Sequence, residues 1–364
     1  MIRSLLLLCL PLILSGCIMD AMYGGIPNAV NMEPAVYNLE GINGPHDDFN
    51  AVAGPPPLAM DAFIAFASND ASRGGLFSID AGRLTVVQNP YPSRRQTHPP
   101  RPAITAQRLG AFVRIPDLPG NVRGPMPLAS TMVPERRYGQ QFEHHMTREL
   151  TLNDEPLSGN SSGVLPAGGV WMFDADHDGR RNLYFVDDSG RVRPFFGNDP
   201  QADDAYAAYD FIRHELYFCS NRSGNYRLYR YRNVSRDLNF AQWLGNAKLA
   251  AEIVPATEFD APGQTMAPFV FGDYLVLASD RPGGRGGFDL YLSRHVAGRW
   301  ESPVNLQTLM PSGVELNTAG NEFRPSVLTM GFSDFQDLRV LLFSSDRPGG
   351  MGGYDLYLTA LPPL

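Results

Sequence analysis

Apolar residues along this chain come in short runs. Leu216-Tyr-Phe-Cys219, Leu277-Ala278 and Leu290-Tyr-Leu292 are each cut off by polar or glycine-rich clusters. No run continues at the 3.6-residue period of an amphipathic helix, and the runs are aromatic or aliphatic and brief, which predicts strands. The clearest pair is Leu277–Leu292, L-A-S-D-R-P-G-G-R-G-G-F-D-L-Y-L, and Phe343–Leu358, F-S-S-D-R-P-G-G-M-G-G-Y-D-L-Y-L, 66 positions later. Proline fixes one backbone angle and glycine supplies positive φ, so the middle of each copy is a tight loop and each copy is a β-hairpin.

Weaker copies follow in the same frame. Leu216–Tyr229 has Ser220-Asn221-Arg222 in the Ser-Asp-Arg places, and Trp171–Tyr184 aligns with it without a gap. Ile64–Ile79 again carries Ser68-Asn69 and then a glycine turn. Five hairpins in one chain make a repeat protein. The interval between Ser68 and Ala175 is about twice the others, so one degenerate unit is expected there. The count is therefore six units, with five plus a long insertion at about 85–165 as the alternative.

A second signal recurs ahead of two hairpins. Ile42-Asn43 to Asp47-Asp48-Phe49 matches Leu316-Asn317 to Asn321-Glu322-Phe323. Upstream of these lie Pro34 to Asn38-Leu39 and Trp300 to Asn305-Leu306. One unit is then a strand after the acidic-aromatic pair, the hairpin, and a last strand ending in Asn-Leu. That is a four-stranded blade, and the expected fold is a single all-β propeller. Ala35–Leu39 is a fourth strand with no hairpin before it, and the hairpin ending near Thr359 has no fourth strand after it. Pairing the two closes the ring and removes exposed edges.

These residues resemble the Pro-Asp variant of the WD40-like propeller repeat, the TolB-like group of bacterial envelope propellers. The resemblance rests on S-D-R-P-G-G-x-G-G-[FY]-D-L-Y at Ser279 and Ser345, on W-x-x-P-x-N-L at Trp300, and on Asn321-Glu-Phe-Arg-Pro325. It runs over residues 33–364, strongest in the last third and weakest between 85 and 165. It implies six blades. Of function it implies an interaction module whose partner is an envelope protein or glycan. The peptidoglycan-gripping OmpA-type domain of some relatives has no counterpart here, so that activity is not carried over.

Composition then narrows the setting. Net charge is −8 at pH 7, with 43% apolar and 19% charged residues, so no basic surface points to nucleic acid. Glycine and proline number 36 and 31, in keeping with a turn-rich β fold. Residues 1–16 read as a signal peptide: Arg3, an apolar stretch too short to span a bilayer, and Leu14-Ser15-Gly16 before Cys17. Leu-Ser-Gly-Cys resembles the bacterial lipobox, which makes Cys17 the lipidated first residue of the mature chain and residues 17–32 a tether. By the same resemblance, Ile18 rather than Asp after the cysteine directs the protein to the outer membrane, held there by its lipid alone. With Cys9 lost in the signal, Cys219 is the one thiol of the domain, expected as a small buried residue.

Candidate chemistry is sparse. Asp174, Asp176 and Asp178 alternate as in a calcium loop, but the same residues align with a hairpin turn, so calcium stays an open alternative and no other cofactor is expected. Asp280-Arg281 and Asp346-Arg347 repeat, which argues for a structural role: the carboxylates cap turn amides and the arginines brace the neighbouring blade. Asp289 and Asp355 are expected to act likewise. His144 and His145 are adjacent, so on a strand they point apart and suit surface better than metal. No nucleophile elbow, zinc motif or phosphate loop is present, and no catalytic residue is assigned. The expectation is a non-catalytic binding or scaffolding module whose partner surface includes the proline-rich stretch 90–134 and its neighbour through Gly163. The alternative is an enzyme acting on glycan or peptide, with carboxylates converging in the channel.

Overall fold

The computed structural model describes residues 30–31, 34–53, 61–70, 76–87, 103–113, 121–128, 151–152, 155–156, 170–177, 179–187, 191–234, 238–330 and 338–364. They form a single β-propeller of five antiparallel sheets. Blade 1 is Asp48–Ala53, Asp61–Ser68, Ser78–Val87 and Ala103–Val113, with Val30–Asn31 added outside. Blade 2 is Val122–Leu128, Val170–His177, Arg180–Val186 and Val192–Pro194. Blade 3 is Asp204–Asp210, Glu215–Ser220, Arg227–Arg232 and Ile253–Pro255. Blade 4 is Thr265–Phe271, Tyr274–Ser279 and Asp289–Val296, edged by Val304–Asn305. Blade 5 is Glu322–Met330, Leu338–Ser345 and Asp355–Ala360, completed by Val36–Asn38. Each first-named strand packs against the next around the axis, and the fifth meets the first.

All five hairpins read from the sequence are the second and third strands of a blade. The ring closes as expected, with Val36 opposite Thr359 and Asn38 opposite Tyr357. The six-blade count is corrected to five. Residues 85–165 hold no extra blade among the described residues: the longer strands are claimed by the neighbours, and Thr151–Leu152 and Glu155–Pro156 pair only with each other. Ser78–Val87 and Ala103–Val113 pair as one long arm of blade 1, and Val122–Leu128 is the inner strand of blade 2. The proline-rich stretch is thus partly ring framework, since Met126 and Leu128 are buried in the core.

Asparagines finish the outer edges. Asn43 Oδ1 accepts from the Leu356 amide while its Nδ2 donates to the Leu356 carbonyl and to Asn38. Asn317 does the same to Leu290 and Asn305, and Asn198 to Leu183. Each satisfies a third-strand residue where the fourth strand has ended. Between blades, aromatic residues fill the core: Tyr231 stacks on Trp243 at 4.5 Å between ring centroids, and Trp300 Nε1 donates to Tyr217. Helix is confined to Phe240–Leu244 and three short 3-10 turns among the described residues. No helix among them is long and apolar enough to cross a membrane. The signal peptide, Cys17, most of the tether, His144, His145 and Asp178 lie outside the described residues.

Candidate functional site on the ring axis

Every inner strand carries one extra residue at the same register. The pairing slips between Phe49 and Val52, Ala205 and Ala208, Met266 and Phe269, and Phe323 and Ser326, and opposite Met172 and Asp174 in blade 2. At each bulge the backbone turns left-handed: Asn50 (φ 61), Gly124 (φ 58), Tyr206 (φ 55), Ala267 (φ 47) and Arg324 (φ 49). Only one of these is glycine, so four L-residues hold a conformation that costs about 1–2 kcal/mol each. Such strain persists where the surroundings over-determine it, often at functional positions.

The bulges aim side chains across the ring. Arg324 Nη2 contacts the carbonyls of Gly124 and Ala207, each at 3.4 Å, and its guanidinium lies 5.5 Å from the Tyr206 ring. Blade 5 is adjacent to neither blade 2 nor blade 3, so these contacts cross the axis. Tyr206 packs edge-on against Phe323 at 5.3 Å, and its hydroxyl accepts from Arg181. Phe49, Phe77, Phe288 and Tyr354 extend the aromatic wall, with Phe49–Phe77 centroids 4.8 Å apart and Phe288–Phe323 5.2 Å. Burial raises the Tyr206 phenol above its ordinary value and pulls Arg324 down.

Bulge amides are received by the preceding blade. Asp174 Oδ1 accepts from Tyr206, Cys219 Sγ from Ala267, and Ser344 Oγ from Asn50. These three acceptors hold the same place in their second strands, and Ala67 and Ala278 hold it in the other two blades. Cys219 is fully buried as expected, and burial pushes its thiol up to about 12, so it stays protonated. Asp174 also faces Arg181 at 3.5 Å. Gly124 fits beneath it because a Cβ there would collide with Asp174 Oδ1. Gly124→Ala is therefore expected to cost at least the 1–2 kcal/mol of left-handed strain, while Ala267→Gly holds or raises stability; urea midpoints measure both.

The repeated Ser-Asp/Asn-Arg group forms a latch in blades 3, 4 and 5. Arg347 donates to Ser345, to the Leu316 carbonyl at 2.6 Å and to Glu322 at 3.1 Å. Arg222 does the same to Ser220, the Gly197 carbonyl and Asp204, and Arg281 to Ser279, the Phe259 carbonyl and Thr265. The arginines thus hold their own blade's inner strand and the connection leading into it; the expected brace to a neighbouring blade is corrected. In blade 1 Asp70 takes the arginine's place, and Arg108 arrives from the outer strand to meet Asp48, Ser68 and Asp80. Burial keeps Asp48 and Asp204 above the usual carboxylate range despite these arginines.

Asp280 and Asp346 cap amides as expected, at Gln264 and Asn321 just before the inner strand. Asp289 and Asp355 cap their own glycine loops through the amides of Arg285 and Met351. Capped residues reach the preceding blade in turn: Asp47 accepts from the Tyr354 amide, Asp203 from Arg181 and Asn321 from Phe288. Asp176 sits at the capping position of blade 2 and accepts from Asn121 at 2.8 Å, with Arg123 at 3.5 Å. Two of the three candidate calcium ligands thus have partners within the ring, although Asp174 Oδ2 accepts no hydrogen bond. No group of three or more His, Cys, Asp or Glu is placed to hold a metal among the described residues.

What the axis retains are polar atoms without partners. Asn50 is fully buried, and neither of its amide atoms is hydrogen-bonded; Arg324 is 3% exposed, and its Nη1 has no acceptor. The sequence hinted at these bulges through proline inside a strand, at Pro125, Pro268 and Pro325, since proline within sheets gathers at bulges. It held no such hint for Asn50 or Tyr206, each followed by alanine.

No protein-family model matches this chain, and no curated protein matches its sequence. Among solved structures it is similar to a putative TolB from Agrobacterium tumefaciens, at 11% identity and TM-score 0.37, over 90% of this chain and 97% of that one. It is also similar to TolB from Acinetobacter baumannii, at 14% identity and TM-score 0.32, over 95% and 68% of the two chains. A third similar structure is the catalytic domain of a GH62 α-L-arabinofuranosidase from Coprinopsis cinerea, at 11% identity and TM-score 0.43, over 92% and 98%.

Proposed function

We propose that this protein is a lipid-anchored propeller that serves as a protein- or glycan-binding module of the bacterial cell envelope, with the ring axis as its recognition site. The observation that carries this reading is the pair of buried, partnerless groups on Asn50 and Arg324. Most polar groups of the repeat are satisfied by latches, caps and bulge acceptors. These two lie where all five blades meet, beside Phe49, Tyr206 and Phe323. Buried polar groups are ordinarily paired, and exceptions mark places that await a ligand, an ion or water. A rigid ring with such groups at its centre is built to receive something.

The envelope address rests on the sequence of Met1–Cys17 alone. With a diacylglyceryl group on Cys17, two or more acyl chains hold the domain at the outer membrane without a spanning segment. Cys17→Ser is expected to abolish incorporation of labelled palmitate and to move the protein from the membrane fraction to the soluble fraction. Unchanged labelling and sedimentation would overturn the anchor. For the binding role, photo-crosslinkers at the exposed rim residues Ile212 and Met351 in intact cells are expected to capture a discrete envelope partner.

The second reading, an enzyme with its site in the channel, draws on Asp174, a buried carboxylate that accepts from the Tyr206 bulge amide. Hydrolysis of envelope glycan or peptide by the purified protein, lost in Asp174→Asn, would favour it over the binding role.

A further inference from the structure

Arg324 poses a physical problem. A guanidinium cannot shed its proton, so burial leaves a charge that must be compensated. Most arginines of the latches meet a carboxylate: Arg108 has Asp48 and Asp80, Arg222 has Asp204, and Arg347 has Glu322. Arg324 makes two long contacts to carbonyl oxygens and places no carboxylate within ion-pair distance among the described residues. Asp174 acts on it from farther off; its Oδ1 accepts from the Tyr206 amide, and its Oδ2 lies 3.5 Å from Arg181 without a hydrogen bond.

We infer that Arg324 is the anchor of a carboxylate-binding site on the ring axis, in which a ligand's carboxylate supplies the missing counter-charge. This rests on the binding-module reading above and names the chemistry the module recognises. The planar fork of a guanidinium matches a carboxylate through two parallel hydrogen bonds, and Nη1 is the free prong. A carboxylate brings the single negative charge that this guanidinium lacks as an ion-pair partner. Asn50 holds the equivalent bulge position one blade on, with a carbonyl and an amide group still free to receive the polar atoms next to the carboxylate. The left-handed backbone at both residues fixes where their side chains point, so the site exists before the ligand arrives. Phe323, Tyr206 and Phe49 shield it from water, which strengthens a charged contact.

Two biological sources share this chemistry: the free carboxyl end of a peptide and the uronic acid of a glycan. The test uses the purified full chain with Cys17→Ser, so that it stays in solution, and reads binding by calorimetry and by melting temperature. The probes are N-acetyl-alanyl-alanine with its C-terminal amide as control, and glucuronate with glucose as control. At least one acid is expected to bind and to raise the melting temperature while its neutral control does neither, and the acid that binds identifies the source. Arg324→Met is expected to weaken that binding about thirtyfold or more, as loss of one member of a buried charge pair does. Without ligand, this variant is expected to melt no lower than the parent, because it removes an uncompensated charge. Arg324→Lys keeps the charge, loses the fork and is expected to fall between.

Equal response to acid and neutral control, or binding unchanged in Arg324→Met, would overturn the inference. So would no response to either acid, which would leave Arg324 solvated by internal water, and so would a collapse in the melting temperature of Arg324→Met. A partner crosslinked in cells equally well by the parent and by Arg324→Met would sink the carboxylate site and spare the envelope-binding reading. Carboxylate binding in solution without any crosslinked partner would do the reverse.

Discussion

Arg347→Ala is expected to lower stability by about 3–5 kcal/mol, and Arg281→Ala by only about 1–2 kcal/mol, although the two residues occupy the same place in near-identical hairpins. The difference lies in what each leaves behind. Glu322 is fully buried, and without Arg347 its carboxylate keeps only the neutral donors Thr318 and Ser345. An uncompensated buried charge is the costly outcome of breaking such a pair. Arg281 faces Thr265 instead, whose hydroxyl itself donates to the Phe259 carbonyl, so its removal costs hydrogen bonds but uncovers no buried charge. Both arginines also lie over a tyrosine ring, Tyr357 at 4.9 Å and Tyr291 at 4.7 Å, and only Arg347 lies over a second ring, Phe343 at 5.2 Å, which adds to its larger loss. Urea denaturation of the two variants measures the contrast. Equal losses would show that the latch acts by packing and hydrogen bonding rather than by charge.

A disulfide across the closure is expected to stabilise the ring by up to about 4–5 kcal/mol, the largest gain open to a single cross-link here. Residues 36 and 359 are directly opposite. Leu39 N–H donates to the Leu356 carbonyl, and hydrogen-bonded and non-bonded pairs alternate along an antiparallel ladder. Counting back from Leu39, Val36 and Thr359 form a non-bonded pair, the closer kind, whose spacing suits a disulfide. The loop it closes spans nearly the whole domain, which is where chain-entropy gains are greatest. The experiment places Val36→Cys and Thr359→Cys in a chain with Cys9 and Cys17 changed to serine; Cys219 is buried and its thiol protonated, so it does not compete. Oxidised and reduced melting temperatures are then compared. A cross-link that forms readily yet leaves the melting temperature unchanged would mean that the closure does not limit stability.

Much of this architecture is written in local residue patterns. The five hairpins announced themselves through Ser-Asn or Ser-Asp followed by glycine, because a two-strand turn is a local structure with local chemistry. The closing strand was legible because Asn38-Leu39 and Ile42-Asn43 repeat Asn305-Leu306 and Leu316-Asn317. Those asparagines turn out to bond the same third-strand backbone positions, at Leu356 and Leu290. Repetition of a sequence was repetition of a bond.

The blade count was not legible in the same way. Between 85 and 165 the spacing suggested a unit, but spacing cannot say which neighbour a strand will join. Long pairing of Ser78–Val87 with Ala103–Val113 drew those residues into blade 1. Arg108 shows the same limit: nothing around it resembles a latch, yet it fills the gap that Asp70 leaves in its hairpin.

By itself, then, the chain's order of residues determined an all-β ring of repeated hairpins, the caps of its turns, and the strand that closes it, since each depends on contacts between residues near in sequence or copied from unit to unit. Only the tertiary structure decided that the ring has five blades and that Asn50, Gly124, Tyr206, Ala267 and Arg324 converge. Their meeting arises from bulges and circular closure, which bring together positions as much as 294 residues apart. Whether a buried arginine has a counter-charge is a property of that meeting, and no local pattern carries it.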